Sequence, residues 1–216
     1  MTNILALETS TDMCSVSIRK GKEDFNFHES LPRQHTENLF SIISKLLNES
    51  KLSFEDLDAV AVGVGPGSYT GIRLSCSVAQ GIAFSHNLKG LILSSLELIA
   101  LEAFDKTKSS HIVGISEVNL DKIYISQSTL ADGDISSKFK MIKYDELNLI
   151  DFHKDSLFVG PGCSQLPELG NKLEGLFPKA INLLDIANQR YKQGLLKEPE
   201  DFLPIYLNDE NSWRKL

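Results

Sequence analysis

Ala59-Val60-Ala61-Val62-Gly63-Val64-Gly65-Pro66-Gly67-Ser68-Tyr69-Thr70-Gly71-Ile72-Arg73 decides the fold. Its first six residues run apolar without alternation, which suits a strand covered on both faces. Gly65-Pro66-Gly67 stops that strand, and the chain after it predicts a helix to about Ser85. A buried strand feeding a helix through a glycine-rich turn is an α/β unit. Toward the N-terminus, Ile4–Leu7 reads as a buried strand. Cys14, Val16 and Ile18 alternate with Ser15 and Ser17, and Phe25 and Phe27 share one face of Asp24–Glu29. With the Lys20-Gly21-Lys22 turn this predicts a three-stranded antiparallel meander. After Pro32, Leu39, Phe40, Ile43, Leu46 and Leu47 recur at helical spacing within Gln34–Glu49. Downstream, Leu91–Leu93 predicts a strand and Leu96–Phe104 a helix. The order is βββ-α-β-α-β-α.

The second half repeats that order. His111–Ser116, Lys122–Thr129 and Lys138–Tyr144 read as strands, with a turn at Asp132-Gly133. Asp145–Asp155 predicts a short helix. Leu157–Val159 is a strand that ends in Gly160-Pro161-Gly162, followed by an expected helix over Gln165–Leu176. Ile181–Leu184 reads as a last strand, and Asp185 as the N-cap of a helix closed by Gly194. Two Gly-Pro-Gly turns in the same place point to a duplication. The boundary falls near Asp105–Ser110, giving an N-terminal lobe 1–105 and a C-terminal lobe 106–216.

The chain has 216 residues, 42% hydrophobic and 24% charged, the balance of a globular protein. Its net charge of −7 supplies no basic face for nucleic acid, so any RNA contact is expected to be indirect. No apolar run approaches the roughly 20 residues that span a bilayer. Met1–Glu8 lacks the charged n-region and long apolar segment of a signal peptide, so a cytoplasmic, membrane-free protein is expected. Cys14, Cys76 and Cys163 are too scattered for a disulfide framework or a zinc site.

Two segments could carry chemistry. Gly65, Gly67, Ser68, Thr70, Gly71 and Arg73 combine close-approach glycines, hydroxyls and a helix start, the ingredients of a phosphate cradle. The same residues would equally build a rigid strand-to-helix turn. No Gly-Lys-Ser/Thr follows, so this is not a Walker A loop. Glu8-Thr9-Ser10-Thr11 places a carboxylate beside three hydroxyls, either for a metal-bound phosphate or for local turn bonding. His28, His35, His86, His111 and His153 include no i, i+3 or i, i+4 pair, so no metal site is expected. There is no Gly-x-Ser-x-Gly elbow for hydrolase chemistry. A two-metal nuclease needs several convergent carboxylates, and the end of the 59–64 strand offers only glycines.

The strings Ile4–Thr11, Arg33-Gln34-His35-Thr36-Glu37-Asn38-Leu39, Asp56–Arg73, Ala79–Ala83, Ser94–Glu97 and Pro199–Leu207 together resemble the bacterial TsaB (YeaZ) family. The resemblance is strong to about residue 105, patchy to 184 and fair beyond. It implies an actin-like ATPase (ASKHA, ribonuclease-H-like) α/β fold of two related βββαβαβα lobes. It implies a subunit of the machinery that makes threonylcarbamoyladenosine at position 37 of tRNA, without catalytic residues of its own. In the catalytic sibling, TsaD, an Asn-His-x-x-x-His-type motif holds a metal after its own Gly-Pro-Gly helix. Here that stretch is Leu93-Ser94-Ser95-Leu96-Glu97-Leu98-Ile99, with no histidine. Implied partners are the sibling, a small TsaE-like ATPase, and a second copy when the chain is alone. No intrinsic cofactor is expected; ATP or ADP would sit at the sibling interface. The implied docking helix carries polar contacts at Arg33, Gln34, His35 and Glu37 and apolar anchors at Leu39, Phe40, Ile43 and Leu47. Those four anchors would alternatively face the chain's own core. Two departures stand out: Glu8 replaces a common Asp, and Glu117–Tyr124 lacks an arginine many members carry. An autonomous actin-like ATPase or small-molecule kinase is the alternative.

Overall fold

The computed structural model describes residues 2–131, 134–166 and 169–207. The expected turn at Asp132-Gly133 lies outside them. The first sheet opens with β1 (Asn3–Glu8), β2 (Met13–Lys20) and β3 (Glu23–Ser30), an antiparallel meander in the register Leu7↔Val16↔Phe27 and Leu5↔Ile18↔Phe25. Each of these pairs lies on one face of the sheet, which is why the period-two pattern was readable. β4 (Ala59–Gly63) joins β1 in parallel, and β5 (Lys89–Leu93) joins β4, giving the order β3-β2-β1-β4-β5.

Between β3 and β4 runs α1 (His35–Ser50). Its stripe of Leu39, Ile42, Ile43, Leu46 and Leu47 enters one core with Leu5, Leu7, Val16, Ile18, Val60 and Val62. α2 (Tyr69–His86) follows the glycine-rich turn and adds Cys76, Ala79, Ile82 and Ala83 to that core. α3 (Ser95–Thr107) leads into the second sheet.

The second sheet contains β6 (His111–Glu117), β7 (Lys122–Ala131), β8 (Asp134–Lys143), β9 (Leu157–Val159) and β10 (Lys172–Leu173). Its order, β8-β7-β6-β9-β10, and its strand directions repeat the first sheet five strands on. This match in topology is what a two-lobed actin-like fold requires.

Four local expectations fail. The helix expected over Asp145–Asp155 is a 3-10 turn, Tyr144–Leu149. The helix expected over Gln165–Leu176 is replaced by a 3-10 turn at Pro161–Gln165 and the strand β10. Pro167, Gly170 and Gly175 fall inside that stretch, and each disfavours a helix interior. The strand expected over Ile181–Leu184 is the first turn of α4 (Ile181–Gln193). Leu183, Leu184 and Ala187 are buried at helical spacing, which overrides the local β-preference of Ile-Asn-Leu-Leu. Ala180, not Asp185, is the N-cap residue, and Ser15 Oγ accepts from the Ala180 N–H at 2.9 Å. Asp185 instead projects from the helix and pairs with Arg19 at 2.6 Å. Gly194 closes the helix with φ 68° as expected.

Against the expected 1–105 and 106–216 lobes, the chain's compact units are Met1–Ser95 with Pro178–Ile205, and Leu96–Phe177 with the chain from Tyr206. α4 accounts for the place of Pro178–Ile205, because it packs on β1, β2, β4 and β5 of the first unit, while α3 from Leu96 onward falls in the second.

Candidate functional site

The loop after β1 and the turn before α2 meet in the first unit. Glu8 is 0% exposed. Its Oε1 accepts from the Ser10 N–H at 2.5 Å and its Oε2 from Ser95 Oγ at 2.8 Å. Burial pushes its pKa up, and the Ser10 and Ser95 bonds oppose that rise. Thr9 is buried too, and its Oγ1 donates to the Gly71 carbonyl at 2.7 Å. The Ser68 N–H donates to the Ser10 carbonyl at 2.7 Å. Glu8, Thr9 and the Ser10 backbone are thus engaged in turn bonding, while Ser10 Oγ is buried without a partner.

The glycines have the same explanation. A Cβ on Gly67 would stand 2.3 Å from the Ser10 carbonyl oxygen, and one on Gly71 1.9 Å from that of Thr9. Close approach is required, but by the chain's own backbone. Gly65 lies at φ 91°, its peptide bond to Pro66 is cis, and its carbonyl accepts from the Ser95 N–H at 2.7 Å. Arg73 stacks its guanidinium over the Tyr69 ring, 3.4 Å from the centroid, and both side chains are exposed.

What remains open is a cavity of about 260 Å3 where the β1–β2 loop, the start of α1 and the start of α2 converge. Thr11, Ser68, Thr70 and Gly71 of the phosphate set line it, and so do Arg33 and His35 of the docking set. The structure therefore joins two groups that the sequence kept apart. Asp12, Thr36 and Leu74 complete the lining. Their only signal in the sequence is adjacency to the two motifs. Ser68 caps α2 by accepting from the Gly71 N–H at 3.3 Å. Arg33 adopts φ 61°, a left-handed conformation that disfavours residues with a Cβ.

Along α1, Leu39, Ile43 and Leu47 face the core of their own unit, so these three expected anchors are not surface residues. Phe40 is 57% exposed, and Arg33, Gln34 and Glu37 are exposed beside it. His35 is 8% exposed and its Nε2 lies 2.8 Å from the Thr11 carbonyl. Among the described residues no cluster of three or more His, Cys, Asp or Glu side chains could hold a metal. No helix among them is long and apolar enough to cross a membrane.

Residues 29–116 match the family model of TsaD, tRNA N6-adenosine threonylcarbamoyltransferase. The tRNA threonylcarbamoyladenosine biosynthesis protein TsaB of Haemophilus influenzae is 30% identical, over 99% of this chain and 96% of its own length. The Escherichia coli protein of the same name is 28% identical, over 99% of this chain and 97% of its own. A crystal structure from Pseudomonas aeruginosa, described as similar to peptidase YeaZ, superposes with a TM-score of 0.88 at 27% identity. It covers 96% of this chain and is itself covered in full. Near-complete mutual coverage, the repeated five-stranded topology and the 59–73 motif agree, and the chain belongs to the TsaB (YeaZ) family of tRNA threonylcarbamoyladenosine biosynthesis proteins.

Proposed function

We propose that this chain is a non-catalytic partner subunit that binds and activates a TsaD-like transferase, which modifies adenosine 37 of tRNA. One observation carries the reading. The β5–α3 junction, Leu93–Ile99, has no imidazole where the sibling's metal motif stands. Without such ligands that metal site cannot be built. The junction is spent on internal structure instead: Ser94, Ser95 and Glu97 are buried, and Ser95 bonds Glu8. The match of residues 29–116 to the transferase model supports a shared scaffold without shared ligands.

Docking on the sibling would use the exposed side of α1's start, with Phe40 as the apolar anchor and Arg33, Gln34 and Glu37 around it. The same surface would close a homodimer when the sibling is absent. ATP or ADP at that junction would meet this chain first at the exposed Thr70 and Arg73, because Glu8, Thr9 and Ser10 are buried. A TsaE-like ATPase completes the assembly. Net charge −7 leaves tRNA binding to other subunits.

The test is tRNA threonylcarbamoylation with sibling, ATPase and synthetase, with and without this chain. Product that depends on the chain, with no ATP turnover by the chain alone, supports the reading. Equal product without it overturns the reading, and ATP turnover by the isolated chain would make it an enzyme in its own right. Arg33→Glu combined with Phe40→Ala should abolish co-elution with the sibling; unchanged co-elution removes α1 from the interface.

A further inference from the structure

We propose that the cavity between the β1–β2 loop and the starts of α1 and α2 binds a small zwitterion of the free α-amino-acid class. The cavity holds two opposite charges that do not pair with each other. Asp12 and Arg33 both line it, and neither side chain takes part in an ion pair or hydrogen bond among the described residues. Both residues are exposed.

His35 adds a buried acceptor. Its Nε2 lies 2.8 Å from the Thr11 carbonyl, which can only accept, so Nε2 carries the hydrogen. In the neutral ring Nδ1 is then an acceptor. That atom is buried without a partner, in a residue that lines the cavity and is 8% exposed. A ligand's ammonium group supplies the missing donor and the countercharge for Asp12. At the other pole, Arg33 matches a carboxylate, and the first N–H groups of the 18-residue α2 favour negative charge. Thr11, Thr36 and Thr70 offer hydroxyls between the poles.

Size argues against larger ligands and sign against phosphate. The volume lies below the roughly 300–1,000 Å3 of pockets that enclose larger ligands. Phosphate would set its charge against Asp12 and leave His35 Nδ1 without a donor. This inference does not rest on the partner-subunit reading, whose test is co-elution and product formation.

The full-length 15N-labelled chain should be titrated with L-alanine, acetate, methylammonium and inorganic phosphate, following backbone amides. L-Alanine should shift amides near residues 11–12, 33–36 and 68–74 saturably, at least about tenfold more tightly than either half-ligand. Asp12→Asn and Arg33→Gln should each weaken it about tenfold without moving the urea midpoint. If L-alanine binds no better than acetate or methylammonium, the proposal fails. It also fails if phosphate saturates the same amides and Asp12→Asn tightens phosphate, since the cavity is then an anion site.

Discussion

Gly71→Ala tests whether the glycines of the 65–71 turn serve internal packing. On helix propensity alone this change should stabilise, because alanine is about 1 kcal/mol better than glycine inside a helix. The structure predicts the reverse. The new Cβ would lie 1.9 Å from the Thr9 carbonyl oxygen, and both partners are backbone, so no side chain can swing aside. The start of α2 must retreat from the β1–β2 loop. That strains the Thr9 Oγ1 bond to the Gly71 carbonyl and the Ser68 N–H bond to Ser10, each 2.7 Å long. Overpacking costs about 1–3 kcal/mol, and two weakened bonds about 1 kcal/mol each. After the propensity gain, a net loss of about 2–4 kcal/mol is expected. Gly81 on the same helix is the control, since a Cβ there meets nothing within 4 Å. Gly81→Ala should therefore raise stability by up to about 1 kcal/mol. Urea unfolding followed by α2 amide signals reads both variants. If Gly71→Ala is as stable as Gly81→Ala, the loop contact is not what fixes glycine there, and a ligand-facing role returns.

Three further outcomes are expected. The pKa of Glu8 is raised above its ordinary 4.5, so the stability it contributes is present below pH 4.5 and is lost as pH rises through the folded value. Glu8→Gln cannot ionise, so its stability relative to the parent should climb over that window; a falling difference in paired urea titrations would refute the assignment. Leu39→Ala should cost about 2–5 kcal/mol, because Leu39 is 0% exposed in the first core; a neutral effect on the urea midpoint would place it at the surface. Burial pushes the thiols of Cys14, Cys76 and Cys163 up to about 11, 12 and 12. Near pH 8 all three should resist iodoacetamide until the chain is unfolded, as read by mass spectrometry. Labelling of native Cys76 would show that α2 opens from the core.

Legibility in the sequence followed the physics of each segment. β1 was readable from its continuous apolar run, and β2 and β3 because Val16, Ile18, Phe25 and Phe27 alternate with polar residues on one face of the sheet. α1 was readable from its apolar spacing, and α2 from the glycine-rich turn that precedes it. The 145–193 region misled because its elements are short. A two-residue strand has no period to detect, and the strand-like Ile181–Leu184 becomes helical through contacts with a distant sheet. The candidate site was half legible. Thr11, Arg33, His35 and Ser68 were singled out, but their convergence depends on three segments meeting in space, and Asp12 carries no motif. Phe40 could not be separated from Leu39 by spacing, since adjacent residues both fit a broad apolar stripe; burial alone distinguishes them.

The two Gly-Pro-Gly turns show why glycine spacing by itself did not settle function. In the second unit Gly160 lies at φ 107°, and a Cβ there would stand 2.4 Å from the Ile115 carbonyl oxygen. A Cβ on Gly162 would stand 2.7 Å from the Ile115 side chain. Ile115 lies on β6, which holds in its sheet the place β1 holds in the first. Both turns therefore need glycine because the chain crosses closely over the central strand or the loop that leaves it. A phosphate-binding loop makes the same demand on sequence, with a ligand in place of the crossing backbone. In the first unit the Ser10 and Thr9 carbonyls already occupy that place. The glycines of that turn fix the loop and helix start that frame the Asp12–Arg33 cavity.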